Sequence, residues 1–144
     1  RLGRIRTMSA RFDTSIASKI IRSRDANVRA HHRAAAELGQ SMAISSVVYH
    51  ELHYGALRSP LPEINLAKLS HFLTGLNGVE PFTAEDGEVA GTIRTGLAQL
   101  GEMIGPYDLL IAAHARHVGA TVVTNNEREF RRVPGLSVQN WLKP

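Results

Sequence analysis

Cysteine is absent from this chain of 144 residues. That absence removes disulfide scaffolds, thiolate zinc sites, iron–sulfur clusters and a cysteine nucleophile, and it suits a reducing, cytoplasmic setting. Aromatic residues make up only 6% and form no stripe, which argues against a base-stacking platform of the RNA-recognition type. No apolar run approaches the roughly 18 residues of a membrane span. The basic start, Arg1 to Thr7, leads into no signal-peptide core. Residues 1–7 precede Met8 and read as a leader or extension, so the fold argument covers residues 8–144. Acidic residues are the scarcer sign, 13 against 17 Lys and Arg, for a net charge of +4 and a pI near 10.0. A polyanionic partner explains such a bias, and so does solubility alone.

What is present suffices for one domain. With 43% hydrophobic and 21% charged residues, the chain can bury roughly 68–70% of its unfolded surface without a disulfide or structural metal. No repeat or long linker divides it. The pattern predicts a short strand at Ala10 to Phe12, a helix carrying Ile16, Ile20 and Ile21, and a second helix from Val28 to Leu38 that stops at Gly39. A strand follows at Met42 to Ser46, then a helix bearing Val48, Glu51 and Leu52 before Gly55 and Pro60. Leu66, Leu69, Leu73 and Leu76 trace the next helix, and Val79 to Phe82 reads as a strand. Thr83 and Asp86 form the start signal of a helix whose apolar stripe is Val89, Ala90, Ile93, Leu97 and Leu100. Gly105-Pro106 opens a helix from Tyr107 to Val118 that Gly119 closes, followed by strands at Thr121 to Val123 and Leu136 to Trp141. Short β-branched strands alternating with helices predict an α/β sandwich around a mostly parallel sheet.

Three acids, Asp13, Glu51 and Asp108, each sit just past a predicted strand or at the start of a helix, with separations of 38 and 57 residues. Acids at the carboxyl ends of parallel strands converge on one cleft. A carboxylate cluster holds protons unless a cation neutralises it, and hard oxygen donors without sulfur suit Mg2+ or Mn2+. Each acid also has a plain alternative: Asp13 as a helix N-cap, Glu51 as a solvated helix charge, Asp108 as a complement to a helix dipole. Spacing does not choose between them.

Four stretches narrow the choice: Phe12-Asp13-Thr14-Ser15; Ser45-Ser46 with Glu51-Leu52 and Tyr54-Gly55; Ile104 to Ala115, containing Gly105-Pro106-Tyr107-Asp108; and Val123-Thr124-Asn125-Asn126 running to Leu136 and Trp141. In this order and at these spacings the chain resembles the PIN domain, and in detail VapC, the toxin ribonuclease of type II toxin–antitoxin pairs. The resemblance implies a PIN-like sandwich and a metal-dependent endoribonuclease in which Asp13, Glu51 and Asp108 hold Mg2+ or Mn2+. It implies that Thr14 or Ser15, Thr124 and Asn126 line the site through hydroxyl or amide groups. Ser15 stands where many relatives have Asn, and Asn126 where many PIN nucleases have a fourth acid; Glu129, or less readily Glu127, is the candidate for the missing charge. The chemistry so implied is in-line phosphodiester hydrolysis, with no side-chain nucleophile.

His50 and His53 are three residues apart, whereas the zinc-protease helix needs two His four apart on one face, so zinc is set aside. His114 and His117 read as surface histidines, with a phosphate contact by His114 as the sharper alternative. Of Arg22, Arg24, Arg94, Arg116, Arg128, Arg131 and Arg132, sequence proximity to Asp108 and Asn126 favours Arg116 and Arg128 as RNA contacts. Trp141 reads as core closure. The resemblance further implies a homodimer, a small VapB-like antitoxin through which the complex meets DNA, and RNA as substrate, with the anticodon loop of initiator tRNA first among candidates. The rival expectation is a FitB-like PIN subunit of a DNA-binding complex with weak or no nuclease activity.

Overall fold

A computed structural model describes residues 9–22 and 25–144. The leader expected at residues 1–7, together with Met8 and Arg24, lies outside these described residues. Twelve elements follow in order: β1 (Ser9–Phe12), α1 (Thr14–Arg22), α2 (Ala26–Glu37), β2 (Ser41–Ser45), α3 (Ser46–Leu57), α4 (Pro62–Thr74), β3 (Val79–Glu80), α5 (Ala84–Leu100), α6 (Pro106–His117), β4 (Thr121–Val123), α7 (Glu127–Phe130) and β5 (Ser137–Gln139). The strands form one sheet in the order β3-β2-β1-β4-β5, and all four pairings are parallel.

This order creates the cleft. From β1 the chain moves outward through β2 to β3, then crosses back to lay β4 and β5 on the other side of β1. The reversal falls at the carboxyl ends of β1 and β4, where the flanking connections diverge and leave a crevice. Phe12 pairs with Val123 at the last ladder position, and the Asp13 N–H still donates to the Val123 carbonyl at 3.1 Å. Asp13 and Thr124 therefore leave adjacent strands side by side.

The strands are short, and the apolar residues of the central three are buried under the helices: Ala10, Phe12, Ile44, Val122 and Val123 are fully buried. The Trp141 indole closes the core edge-on against Phe12, with ring centroids 5.2 Å apart. Thr83 and Asp86 form a reciprocal capping box at the start of α5. Gly39 and Gly119 take positive φ just past the ends of α2 and α6, as their places in the sequence require. Three expectations change in detail. Gly55 lies inside α3 and does not end it. Leu76 falls beyond the end of α4. Leu100 is 73% exposed, since the buried stripe of α5 ends one turn earlier at Leu97. Among the described residues no helix is long and apolar enough to cross a membrane.

His114 is the larger correction. It is neither a surface residue nor a phosphate contact, being buried with its Nδ1 2.8 Å from Asp86 and its Nε2 2.9 Å from Glu80. His117 reaches the other oxygen of Asp86 at 2.6 Å. Arg11, inside β1, makes a two-pronged contact with Glu80 at 2.6 and 3.0 Å. The chain of charges binds β1, β3, α5 and α6 together in a region where an unpaired charge would be costly. Two cationic side-chain types thus went unread in sequence because an Arg in a strand and a His on a helix show no partner there.

Candidate active site

Asp13 is the most confined acid, 2% exposed. It caps α1: its Oδ1 accepts the Ile16 N–H at 2.9 Å. Ser15 Oγ lies 2.8 and 2.9 Å from its two oxygens, and Thr124 Oγ1 donates to Oδ2 at 2.6 Å. The N-cap reading of Asp13 is therefore correct as far as it goes, yet a cap needs only one such bond. Burial pushes its pKa above the usual carboxylate range, against the pull of the Thr124, Ile16 and Ser15 hydrogen bonds, with the nearby Glu51 charge adding to the rise.

The neighbours of Asp13 are themselves fixed. The Asn126 N–H donates to Thr124 Oγ1 at 2.7 Å, and the Asn125 N–H donates to Ser15 Oγ at 3.1 Å. These bonds tie the loop after β4 to the start of α1. Glu51, half-buried on α3, accepts a hydrogen bond from the Thr14 hydroxyl, so the helix that follows β2 is joined to the helix that follows β1.

Asp108 stands in the first turn of α6, which Gly105 and Pro106 start without a side-chain cap. Its carboxyl is pushed up to about 7, first by burial, then by its contact with Glu129 and the charges of Asp13, Glu129 and Glu51. Glu129 is shifted the other way, held down chiefly by hydrogen bonding to Asp108 and helped by Asn126 and Gly105. Within the pair, the proton affinity of Asp108 is therefore the higher. Asn126 Nδ2 lies 3.4 Å from Asp108 and also donates to Glu129, while the Gly105 N–H donates to Glu129 at 3.3 Å.

The geometry separates the two candidate acids of α7. Glu127 turns away, bound to Lys143 at 2.7 Å, Arg131 at 2.9 Å and Asn140 at 3.1 Å, and these contacts hold it down to about 2. Glu129 instead joins Asp108 and Asn126. The site thus gathers Asp13, Thr14, Ser15, Glu51, Asp108, Thr124, Asn126 and Glu129 from four separate stretches of the chain.

Arg116 does not join it. Eight residues beyond Asp108 on the same helix, it lies about 12 Å further along the axis, and its guanidinium is bound to the Pro134 carbonyl at 3.1 Å. Sequence proximity misled because a helix carries its two ends to opposite edges of the sheet. Arg128 remains exposed beside Asn126. Two other cations, Arg22 and Arg58, line a cavity that Thr14 and Glu51 also line. Arg58 was missed because it follows a predicted helix end with no motif around it.

The donor set fits a hard divalent cation by its chemistry, since the charged donors are all carboxylates and added positive charge would offset the burial and the neighbouring acids that raise the pKa of Asp108. Among the described residues, no three His, Asp or Glu side chains stand close enough together to form a finished cation cluster. Asp13 is occupied by hydroxyl and amide donors, Glu51 by Thr14, and Asp108 by Glu129.

Comparison with known proteins agrees with this layout. The sequence matches the family described as PIN domain over residues 11–136. It is 42% identical over 130 residues to the tRNA(fMet)-specific endonuclease VapC of Shigella flexneri, covering 90% of this chain and 96% of that protein. The VapBC2 structure from Rickettsia felis, bound to a DNA fragment from its promoter, superposes with a TM-score of 0.87 at 39% identity, covering 93% of this chain and 99% of that one. The FitAB structure bound to an IR36 DNA fragment, at 21% identity and a TM-score of 0.77, shares the fold alone. A parallel sheet reversing at β1, carboxylates gathered where it reverses, and close relatives spanning nearly the whole chain lead to one conclusion: the chain is a PIN domain and belongs to the VapC family.

Proposed function

We propose that this chain is an endoribonuclease toxin of a toxin–antitoxin pair, hydrolysing RNA phosphodiesters with Mg2+ or Mn2+. The observation that carries the reading is the acidic cluster at the sheet reversal, where burial raises the proton affinity of Asp13 and Asp108 and the negative charge of Glu51 adds to both rises. Asp13, Glu51 and Asp108 would hold the metal, with Glu129 supplying the charge that Asn126 does not. Bound there, the ion would polarise a phosphoryl oxygen and acidify a water. Thr124 and Ser15 hold Asp13 in one rotamer, Thr14 orients Glu51, and Asn126 bridges Asp108 and Glu129, so the acids meet a phosphate preorganised. No side chain acts as a nucleophile.

The Shigella relative's activity on tRNA(fMet) supports initiator tRNA as the substrate, with translation as the process inhibited. The VapBC2 assembly on promoter DNA supports a small VapB-like antitoxin as partner and DNA contact through that antitoxin. Exposed Leu57, Leu61, Ile64, Leu100 and Met103 support a homodimer, which light scattering tests directly. Purified chain incubated with total RNA should cut a discrete species with Mg2+ and none with EDTA. A chain that leaves RNA whole under both conditions, and whose expression without its partner does not arrest growth, would instead be the FitB-like regulatory subunit.

A further inference from the structure

Beside the acidic cluster lies a cavity of about 390 Å3 whose walls come from α1, α3 and α4 and include Thr14 and Glu51. Its volume is that of a small-ligand pocket. Arg22 and Arg58 line it, both exposed, and neither forms an ion pair among the described residues. Arg22 only touches the Ser18 carbonyl at 3.3 Å, and the Arg58 guanidinium lies over the Tyr54 ring, 5.6 Å from its centroid. Two guanidiniums without an acidic partner among the described residues, beside the half-buried Glu51, are placed to receive an anion.

Gly55 is the second observation. Glycine is disfavoured inside a helix, and it is retained where a backbone needs positive φ or where packing leaves no room for a side chain. Neither reason applies here: Gly55 sits in the last turn of α3 without positive φ, and a Cβ added there would meet no atom within 4 Å. The space that a side chain would enter is this cavity, which Gly55 also lines. Asn65, fixed by its bond to Ser59 Oγ at 2.8 Å, adds a polar edge to the same wall.

We propose that this cavity is a nucleotide subsite for single-stranded RNA, taking the nucleotide beside the phosphate presented to the acids, with Arg22 and Arg58 on the flanking phosphates. The inference rests on the ribonuclease reading above. Rim cations call for a phosphate backbone, and a recess closed on three sides by helices calls for a base already out of its stack, which a loop offers and a duplex does not.

The test uses full-length protein carrying Asp108→Asn, so that RNA survives, and a fluorescein-labelled single-stranded RNA of mixed sequence read by anisotropy over a salt series. Adding Arg22→Ala or Arg58→Ala should lower the slope of log affinity against log salt by about 0.7 each, one single-strand phosphate contact apiece. Arg116→Ala should leave the slope unchanged. Gly55→Leu should weaken single-strand binding about tenfold while leaving both duplex RNA binding and the thermal midpoint unchanged. Slopes that both arginine variants leave intact, or full binding by Gly55→Leu, overturn the subsite even if the wild-type chain cuts RNA. A wild-type chain that neither cuts nor binds RNA with Mg2+ overturns the ribonuclease reading and the subsite with it.

Discussion

Two clusters of acids, one around the edge strand β3 and one at the sheet reversal between β1 and β4, behave in opposite ways. Around β3, Glu80 and Asp86 are each met by cations, and Arg11, His114 and His117 outweigh the cost of burial, so both carboxyls fall below their ordinary range. At the sheet reversal, Asp13, the more deeply buried, and Asp108 are met by hydroxyls, amides and other acids, so burial and the neighbouring negative charges raise both. The residue types alone do not distinguish a structural clasp from a reactive site. The sign of the surrounding charge separates them, because cations neutralise the acids around β3, whereas the acids at the sheet reversal repel one another, a repulsion that the proposed divalent cation would relieve.

The sharpest way to break this comparison is to remove a charge from each cluster. Asp108→Asn should lower RNA cleavage by two to three orders of magnitude or about that, and should leave the thermal midpoint unchanged or higher because a buried repulsion is relieved. Single-turnover cleavage and a melting curve on one preparation check both halves; wild-type cleavage rates would reduce Asp108 to a helix-dipole residue. Asp86→Ala should do the reverse. It strands His114 between fewer partners and should cost about 3 kcal/mol in denaturant unfolding, whereas activity per folded molecule persists.

Metal linkage gives a middle-sized effect. Mg2+ in large excess should raise the wild-type thermal midpoint by binding the folded state alone, about 2.7 kcal/mol at a hundredfold excess over Kd. Asp108→Asn should show little of this shift, and Asp86→Ala should show all of it. An equal shift in wild type and Asp108→Asn would place the ion elsewhere.

The pH dependence is smaller and carries a definite sign. In the metal-free protein Asp108 binds its proton up to about pH 7, whereas the unfolded chain releases it near pH 4. Between these values the folded state holds more protons, so stability falls as pH rises through the window. Glu80 and Asp86 act oppositely: their folded pKa values are depressed, so their stabilisation is present above the unfolded value and lost as pH falls through the folded one. Unfolding curves in EDTA across pH 4 to 7 should have a shallower downward slope in Asp108→Asn, with Asp13 still contributing, than in Asp86→Asn.

Much of this was legible in the chain itself. The strand and helix order, the capping box at Thr83, the left-handed glycines and the three dispersed acids all follow from local chemistry, since propensity, capping and periodicity act over a few residues. The Phe12-Asp13 and Gly105-Pro106-Tyr107-Asp108 stretches also carried the family resemblance. What propagated through space was not legible. The choice of Glu129 over Glu127 depends on which face of a one-turn helix meets α6, and Lys143 from the far end of the chain decides it. Arg116 is near Asp108 in sequence and remote from it in the fold, whereas Arg22 and Arg58, separated by 36 positions, line one cavity. His114 has no partner in its own helix, and only the packing of α5 on α6 and the parallel pairing of β2 with β3 bring Asp86 and Glu80 to it. The sequence determined which segments would be helix or strand and which acids were available; the tertiary structure decided which charges met, because electrostatic pairing depends on distance through the fold and not along the chain.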